Sequence, residues 1–490
     1  MVVGLDFYAL LGVPRDATPE EIRNAYFDAA RRFHPDANPD PLAREQFLAI
    51  QSAYEVLSNP EKREAYEASL PSPPVPPKIS IETKFSRTVL PYLDEPQMVY
   101  ALVELACTGD PDPAQYPPLH VCLVIDRSTS MSGERMDMVK ANVVQLLRQL
   151  RTQDMVSVII FSDRSEVIIP LSRITDLSKL ESKISMISTG GGTEIFQGLE
   201  AGLSQLQGFR GIRAVRQLIL LTDGHTYGDD KACLALAERA AAEGITLNAL
   251  GIGHEWNDAF LDNLTSIAGG NAIYVKSPKD LFKFLDQKMA ASMAVYARGI
   301  SFEFNTGPEC QLRYAFRLSP DTGMLQTSSP FIIGDLAYGK PLTFLLEFLI
   351  SNINRDSQEL MLIDGKLRME IPVQSAGKSR MFLKLTRPLA DNPEPELPPS
   401  GVLEALSHLS LYRLQERARM EVEAGEVAQA SRRLQYLATH LLSMGDRELA
   451  HTVLVEAEHI QQSHHFSKDG DKRIKYGTRS LLLPSGMERE

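Results

Sequence analysis

LHVCLVIDRSTS, residues 119–130, is the most informative segment for the fold of the central part of the chain. Its residues up to Ile125 are almost all apolar, as in a strand that is buried on both faces of a parallel sheet. The strand ends at Asp126, and Ser128 and Ser130 follow at steps of two. Open α/β sheets bind their ligands at the carboxyl ends of their strands. A carboxylate and two hydroxyls at this place are hard oxygen ligands, which suit Mg²⁺.

Two later stretches complete this pattern. STGGGTE, residues 188–194, is a glycine run that ends in Thr193 just before a helical pattern, and QLILLTDG, residues 217–224, is a second apolar strand that ends at Asp223. Helix and strand patterns alternate through the whole region. Such alternation predicts a doubly wound α/β sheet.

A DxSxS sequence, a threonine after a Gly-rich turn and a strand-terminal Asp-Gly together resemble the von Willebrand factor A (vWA) family, over residues 118–297. The resemblance implies a Rossmann-like fold with a metal-ion-dependent adhesion site for Mg²⁺, or for Mn²⁺ or Ca²⁺. It also implies an unknown protein partner that offers an acidic residue to the ion. The implied direct ligands are the hydroxyls of Ser128, Ser130 and Thr193, with Asp126 and Asp223 acting through water or at longer range. The alternative is a vWA fold that binds no metal.

Residues 5–70, within a predicted domain of residues 1–70, have a helical pattern. A helix starts at Thr18-Pro19, keeps an apolar face at helical spacing, and stops before Pro35. A second amphipathic helix follows over residues 47–57. We therefore expect a small all-α domain here, with a loop between two helices that pack on each other.

The segments FYALLGV, AYFDAARRFHPDANP and IQSAYEVLSNPEKREAY resemble a DnaJ-type J-domain. The resemblance implies that this domain stimulates ATP hydrolysis by a DnaK-type heat-shock chaperone. The residues that it implies for the chaperone contact are His34, Pro35, Asp36, Arg23, Arg31 and Arg32. Phe27 and Asp28 stand where the family is often basic, so the alternative is a J-domain kept only as a structural or docking appendage.

Further boundaries follow from composition. PSPPVPPK, residues 71–78, predicts an extended Pro-rich linker. Strand patterns in residues 79–117 and 298–390 predict one β-sandwich interrupted by the vWA domain. Residues 400–463 predict three amphipathic helices, in a small bundle packed on the sandwich rather than a repeat array. Residues 464–490 are predicted to be a tail, either a tether with a docking motif or a solvated terminus.

Composition excludes several classes of function. A formal net charge of −12 argues against nucleic acid or an anionic membrane as the main partner. Four widely spaced cysteines fit neither a disulfide framework nor a zinc site, and so indicate a reducing compartment. No signal peptide is visible, and the longest apolar block, residues 341–350, is too short to span a bilayer. We expect a cytoplasmic protein.

These features together predict an adaptor without enzymatic activity. Hydrolysis would need a positioned base or nucleophile in addition to a metal ion, and the motifs supply none. The sequence favours a co-chaperone in which the vWA domain binds a partner through Mg²⁺ and the J-domain brings a DnaK-type chaperone to it. The alternative is a signalling or complex-assembly scaffold whose J-domain only docks. A metal hydrolase is the third class considered.

Overall fold

The computed structural model describes the chain in eight segments, residues 7–13, 17–33, 41–69, 79–107, 116–207, 214–224, 228–372 and 378–482. These residues form an N-terminal group of helices, a β-sandwich, an α/β domain inserted between strands of that sandwich, and a C-terminal group of helices. The multidomain α/β architecture is therefore confirmed, while the predicted boundaries stay predictions. The Pro-rich segment 71–78 lies outside the described residues.

Helices and strands alternate in blocks along the described residues. The helices are α1 (Phe7–Leu11), α2 (Pro19–Phe33), α3 (Pro41–Leu57), α4 (Pro60–Ser69), α5 (Glu134–Gln149), α6 (Leu177–Ser185), α7 (Ile195–Gln207), α8 (Asp230–Ala242), α9 (Asp258–Ile267), α10 (Pro278–Met293), α11 (Ser400–Glu423), α12 (Val427–Ser443), α13 (Arg447–Ser463) and α14 (Lys468–Ser480). The strands are β1 (Ile79–Phe85), β2 (Leu90–Pro91), β3 (Gln97–Cys107), β4 (Leu119–Asp126), β5 (Met155–Phe161), β6 (Ser165–Arg173), β7 (Val215–Thr222), β8 (Ile245–Ile252), β9 (Ala272–Val275), β10 (Val295–Thr306), β11 (Cys310–Ser319), β12 (Gly323–Met324), β13 (Phe331–Ala337), β14 (Leu342–Ile350), β15 (Glu359–Glu370) and β16 (Lys378–Ala390).

The N-terminal helices pack around one small core. α2 begins with a capping box, because the Thr18 amide donates to Glu21 Oε2 at 2.8 Å and the Glu21 amide donates back to Thr18 Oγ1 at 3.2 Å. The apolar faces of α1, α2 and α3 meet at Tyr8, Ile22 and Ala53, which are fully buried. The predicted all-α domain is confirmed.

The α/β domain is a doubly wound sheet. Its strand order is β6-β5-β4-β7-β8-β9, and every neighbouring pair is parallel except β5 with the edge strand β6. β4 is buried at every position because α5, α6 and α10 cover one face of the sheet while α7, α8 and α9 cover the other. The continuous apolar run of β4 is the consequence of this double cover.

The β-sandwich is built from strands on both sides of the inserted domain, as predicted. One sheet has the order β1-β3-β14-β11-β12 and the other has the order β13-β10-β15-β16-β2. β3 pairs with β14 from Gln97↔Ile350 to Leu105↔Leu342, so a strand before the domain completes a sheet that follows it. The inner faces of both sheets share one hydrophobic core.

The C-terminal helices correct one prediction. Residues 464–490 do not form a solvated tail throughout, because α14 spans Lys468–Ser480 and its Ile474 is fully buried. The hydrophobic pattern did not predict this helix because most of its buried side chains are charged, namely Lys472, Lys475 and Arg479. Lys475 and Arg479 are buried against carboxylates of the α/β domain and Lys472 against the Trp256 backbone carbonyl, and local sequence shows none of these partners. The described C-terminal region thus has four helices rather than three.

The predicted packing of the helical group on the sandwich is confirmed. Val402, Leu409 and Tyr412 of α11 lie against Phe316 and Leu345 of the sandwich in one apolar cluster. Within the segments that the structure describes, no helix combines the length and the apolar character that crossing a membrane requires.

Candidate functional sites

Asp126 lies at the end of β4, in the middle of the α/β sheet, and its side chain is fully buried. Thr222 Oγ1 donates to its Oδ2 at 2.7 Å, and the Ser128 amide donates to its Oδ1 at 2.8 Å. Burial raises the pKa of Asp126 to about 6, although these hydrogen bonds act to lower it. A buried carboxylate of this kind is stabilised by a nearby cation.

The two serines of the motif lie next to the second aspartate. Ser128 Oγ and Ser130 Oγ are 3.1 Å apart, and Ser130 Oγ donates to Asp223 Oδ1 at 2.7 Å. Asp223 follows β7, the strand that neighbours β4 in parallel, and is 1% exposed, whereas Ser130 is exposed. The structure therefore brings Asp126, Ser128, Ser130 and Asp223 together at one edge of the sheet.

The glycine-rich turn places Thr193 at the same edge. Gly191 has a φ of +89°, and a Cβ there would lie 2.7 Å from Asp163 Oδ2, so only glycine fits. Thr129 Oγ1 and the Thr129 amide both donate to the Gly191 carbonyl at 3.2 Å, which ties this turn to the serine loop. A Cβ added to Gly224, the residue after Asp223, would lie 3.2 Å from Thr193 Oγ1, so Thr193 packs closely against the end of β7.

These five side chains fit a hard divalent cation. All of them offer oxygen, as three hydroxyls and two carboxylates, which is the chemistry that Mg²⁺ prefers. Across the segments described above, no three His, Cys, Asp or Glu side chains cluster as a metal site. An ion at this edge would therefore depend on the serine and threonine hydroxyls.

Arg135 belongs to this edge and was missed by the sequence reasoning. Its Nη1 donates to Asp223 Oδ2 in a close ion pair and to the Ser130 carbonyl at 3.2 Å. One signal in the sequence could have indicated it. Arg135 lies in the first turn of α5, where the helix dipole disfavours a positive charge, so a nearby carboxylate was to be expected.

The predicted chaperone-contact residues are described only in part. His34, Pro35 and Asp36 lie outside the described residues, and so does the side chain of Arg32. Arg23 and Arg31 are exposed on α2, and the guanidinium of Arg23 lies 5.7 Å from the centre of the Phe27 ring. The structure therefore leaves the assignment of this surface a prediction.

Comparison with known domains agrees with this geometry. Residues 6–67 match the DnaJ domain and residues 120–287 match the von Willebrand factor type A domain. The chain contains a DnaJ domain and a vWA domain. Residues 400–484 match the C-terminal alpha-helical domain of Sll0103-like proteins, which covers α11 to α14.

Two relatives illustrate these matches. The uncharacterized protein sll0103 of Synechocystis sp. is 26% identical over 384 residues, which cover 76% of this chain and 90% of that protein. Chaperone protein DnaJ 2 of Thermus thermophilus is 55% identical over 67 residues, or 14% of this chain. The match spans only 24% of that chaperone, so it concerns the DnaJ domain and not the whole relative.

Solved structures share the fold at low identity. A von Willebrand factor type A protein from Catenulispora acidiphila superposes with a TM-score of 0.65 at 16% identity, covering 82% of this chain and 96% of that one. The ArnB paralog VWA2 from Sulfolobus acidocaldarius gives a TM-score of 0.53 at 15% identity, covering 83% and 100%. Both comparisons concern the fold alone.

Proposed function

We propose that this protein is a non-enzymatic co-chaperone. In this proposal the DnaJ domain stimulates the ATPase of a DnaK-type chaperone, while the vWA domain binds a protein partner through Mg²⁺. One observation supports this proposal above all: the chain combines a DnaJ domain and a vWA domain. The DnaJ domain has the sequence His34-Pro35-Asp36, and the motif residues of the vWA domain lie together at one sheet edge.

The DnaJ half of the proposal is supported by sequence identity and by the described helices. Identity to Chaperone protein DnaJ 2 of Thermus thermophilus is 55% over 67 residues, and the described residues of α1, α2 and α3 share one buried apolar core. Residues 1–70 contain seven Lys and Arg against twelve Asp and Glu. A basic contact with the chaperone would therefore have to come from a local patch, to which the exposed Arg23 and Arg31 would contribute.

The vWA half is supported by the kind of ligands at the edge. Three uncharged hydroxyls neutralise little of the charge of a bound Mg²⁺, so the ion would attract a further oxygen anion. The exposed position of Ser130 leaves room for a partner to approach. An Asp or Glu of the partner would supply that oxygen, and this chain's own residues would orient the ion.

All four cysteines are unpaired, which supports a place in a reducing compartment such as the cytoplasm. The nearest of them to the surface, Cys107, is still partly buried. Burial raises the pKa of its thiol to about 11, so it stays protonated and unreactive at neutral pH.

A binding experiment tests the vWA half of the proposal. Calorimetry should show Mg²⁺ or Mn²⁺ binding to the wild type and none to Asp126→Ala, while Asp137→Asn, an exposed carboxylate in α5, serves as the matched control. In pull-downs, the wild type should retain a partner when Mg²⁺ is present and lose it when Mg²⁺ is absent. Asp126→Ala should retain no partner under either condition. A partner retained equally by Asp126→Ala would contradict the metal-dependent mode. A metal-dependent partner without any DnaK-type chaperone would favour the scaffold alternative.

A further inference from the structure

Asp223 has a counter-charge from the protein itself. Its side chain is 0% exposed, whereas that of Arg135 is 33% exposed and reaches it from the first turn of α5. A buried carboxylate with no partner would be strongly unfavourable, so this pair stabilises the edge in the absence of a metal ion. The guanidinium also approaches the place where a divalent ion would meet Asp223 and Ser130.

The guanidinium lies against a loop that carries a second carboxylate. It lies flat against Gly253, where a Cβ would be 3.1 Å from Arg135 Nη2 and 3.3 Å from its Cζ. Glu255 is two residues further along this loop and half exposed, and the hydrogen bond and charge of Lys468, with a smaller effect of the Arg135 charge, hold its pKa below its usual range. Arg135 therefore pairs with one buried carboxylate and packs against the loop that carries an exposed one.

The same loop is held by the C-terminal helix. Lys468, which begins α14, pairs with Glu255 Oε1 at 3.2 Å. Trp256 Nε1 donates to the Gly253 carbonyl at 2.9 Å, and its own carbonyl accepts from Lys472 Nζ. The Nζ of Lys472 lies 4.2 Å from the centre of the Trp256 ring. The loop beside Arg135 thus has a position set by α14.

We infer that Arg135 is an exchangeable counter-ion of the proposed metal site. It pairs with Asp223 when no divalent ion is bound, and it turns to Glu255 when an ion takes its place. This inference rests on the proposed metal site and states how that site is regulated. A guanidinium and a divalent ion repel each other strongly at a poorly solvated edge, so they compete for Asp223.

The exchange has a consequence for the rest of the chain. When Arg135 turns to Glu255, it shares that carboxylate with Lys468, and the occupancy of the ion site becomes coupled to the start of α14. Coupling of this kind is reciprocal, so a change in the α14 contact also changes the affinity for the ion.

The test measures Mn²⁺ and Mg²⁺ affinity by calorimetry in the full chain. Arg135→Gln should bind the ion about tenfold more tightly than the wild type, because the internal competitor is removed. Arg148→Gln is the matched control, since Arg148 lies in the same helix and pairs with Glu181 away from the site. Glu255→Gln should weaken binding about threefold, because the alternative partner of the guanidinium is lost.

The double variant decides whether the two residues act through each other. The double variant Arg135→Gln/Glu255→Gln should bind the ion as tightly as Arg135→Gln alone. Without the Arg135 guanidinium, Glu255 has no competing cation to pair with, so its loss should have no effect. In EDTA, Arg135→Gln should melt at a lower temperature than the wild type, and saturating Mg²⁺ should remove that difference. These stability readouts do not depend on a protein partner.

The outcomes separate this inference from the function on which it rests. If the wild type binds neither Mn²⁺ nor Mg²⁺, the proposed metal site and the exchange are both wrong. If the wild type binds the ion but Arg135→Gln has the affinity of Arg148→Gln, only the exchange is overturned. Additive effects of the two changes in the double variant would likewise overturn it.

Discussion

Arg479, in the last turn of α14, donates from Nη1 to Asp262 Oδ1 in α9 at 2.6 Å, and the two side chains are only 4% and 10% exposed. Lys475, one turn earlier, reaches Asp258 and Asp262, the second at 2.9 Å. The C-terminal helical domain is therefore joined to the vWA domain by buried ion pairs.

Removing one member of this network should destabilise the protein strongly. Arg479→Met leaves Asp262 buried with Lys475 as its remaining ion-pair partner, and we expect the free energy of unfolding to fall by about 3 kcal/mol. Arg473→Met in the same helix removes a half-exposed pair with Asp469 and should cost less than about 1 kcal/mol. Chemical denaturation measures both, and equal losses would contradict the importance of the buried pairs.

The same network predicts how the protein responds to acid. Burial alone would raise the pKa of Asp262, but Arg479 and Lys475 outweigh it and hold that pKa below its usual range. A carboxyl with a lowered folded pKa contributes stability above its unfolded pKa, about 3.9, and loses it as the pH falls through the folded value. Stability from these pairs should therefore persist from pH 7 to about pH 4 and decline only below that.

Trp256 provides the measurement for this pH dependence, because it is the chain's one tryptophan and Tyr476 of α14 packs 5.5 Å from its ring. Its fluorescence should stay that of a buried indole down to about pH 4 and shift to the red below it. Asp262→Asn should lessen this dependence on acid. A red shift of the wild type already at pH 6 would contradict the assignment.

The sandwich strands that follow the vWA domain should depend on β1 to β3 for their stability. β3 is hydrogen-bonded to β14 along nine residue pairs, so its loss would open the sandwich core and turn β14 into an edge strand. A chain that starts at Pro118 should lose the cooperative melting of β10 to β16, as followed by calorimetry and hydrogen exchange. Melting of that chain at the full-length temperature would show that the sandwich does not depend on β1 to β3.

The glycine-rich turn should control metal affinity without controlling the fold. Gly191→Ala must displace Asp163 or the turn itself, which moves Thr193, and we expect Mg²⁺ affinity to fall about tenfold. Gly339→Ala is the matched control, because its φ of +69° brings the same backbone strain with nothing within 4 Å of the added Cβ. Calorimetry and circular dichroism distinguish the two, and equal affinities would contradict the role of the turn.

The sequence predicted the structure correctly where the local pattern of residues agrees with their environment in the fold. The apolar run that ends at Asp126 predicted a strand buried on both faces, and the motif predicted that Ser128, Ser130 and Asp223 lie together at its carboxyl end. The sequence did not predict the positions of side chains that are buried by a partner distant along the chain. Lys475 is buried because Asp258 and Asp262 meet it more than 200 residues away, and Arg135 joins the edge because Asp223 lies 88 residues further on.

Single-turnover ATP hydrolysis by the cognate chaperone measures whether the DnaJ domain stimulates a DnaK-type ATPase, as the proposed function requires. The wild type should accelerate hydrolysis, and His34→Gln should return it to the unstimulated rate while changing stability by only about 0.5 kcal/mol. Reversing Arg31 and Arg32 to Glu should weaken the response, more so at low salt. If the wild type accelerates hydrolysis by no DnaK-type chaperone of the same cell, the co-chaperone account is contradicted.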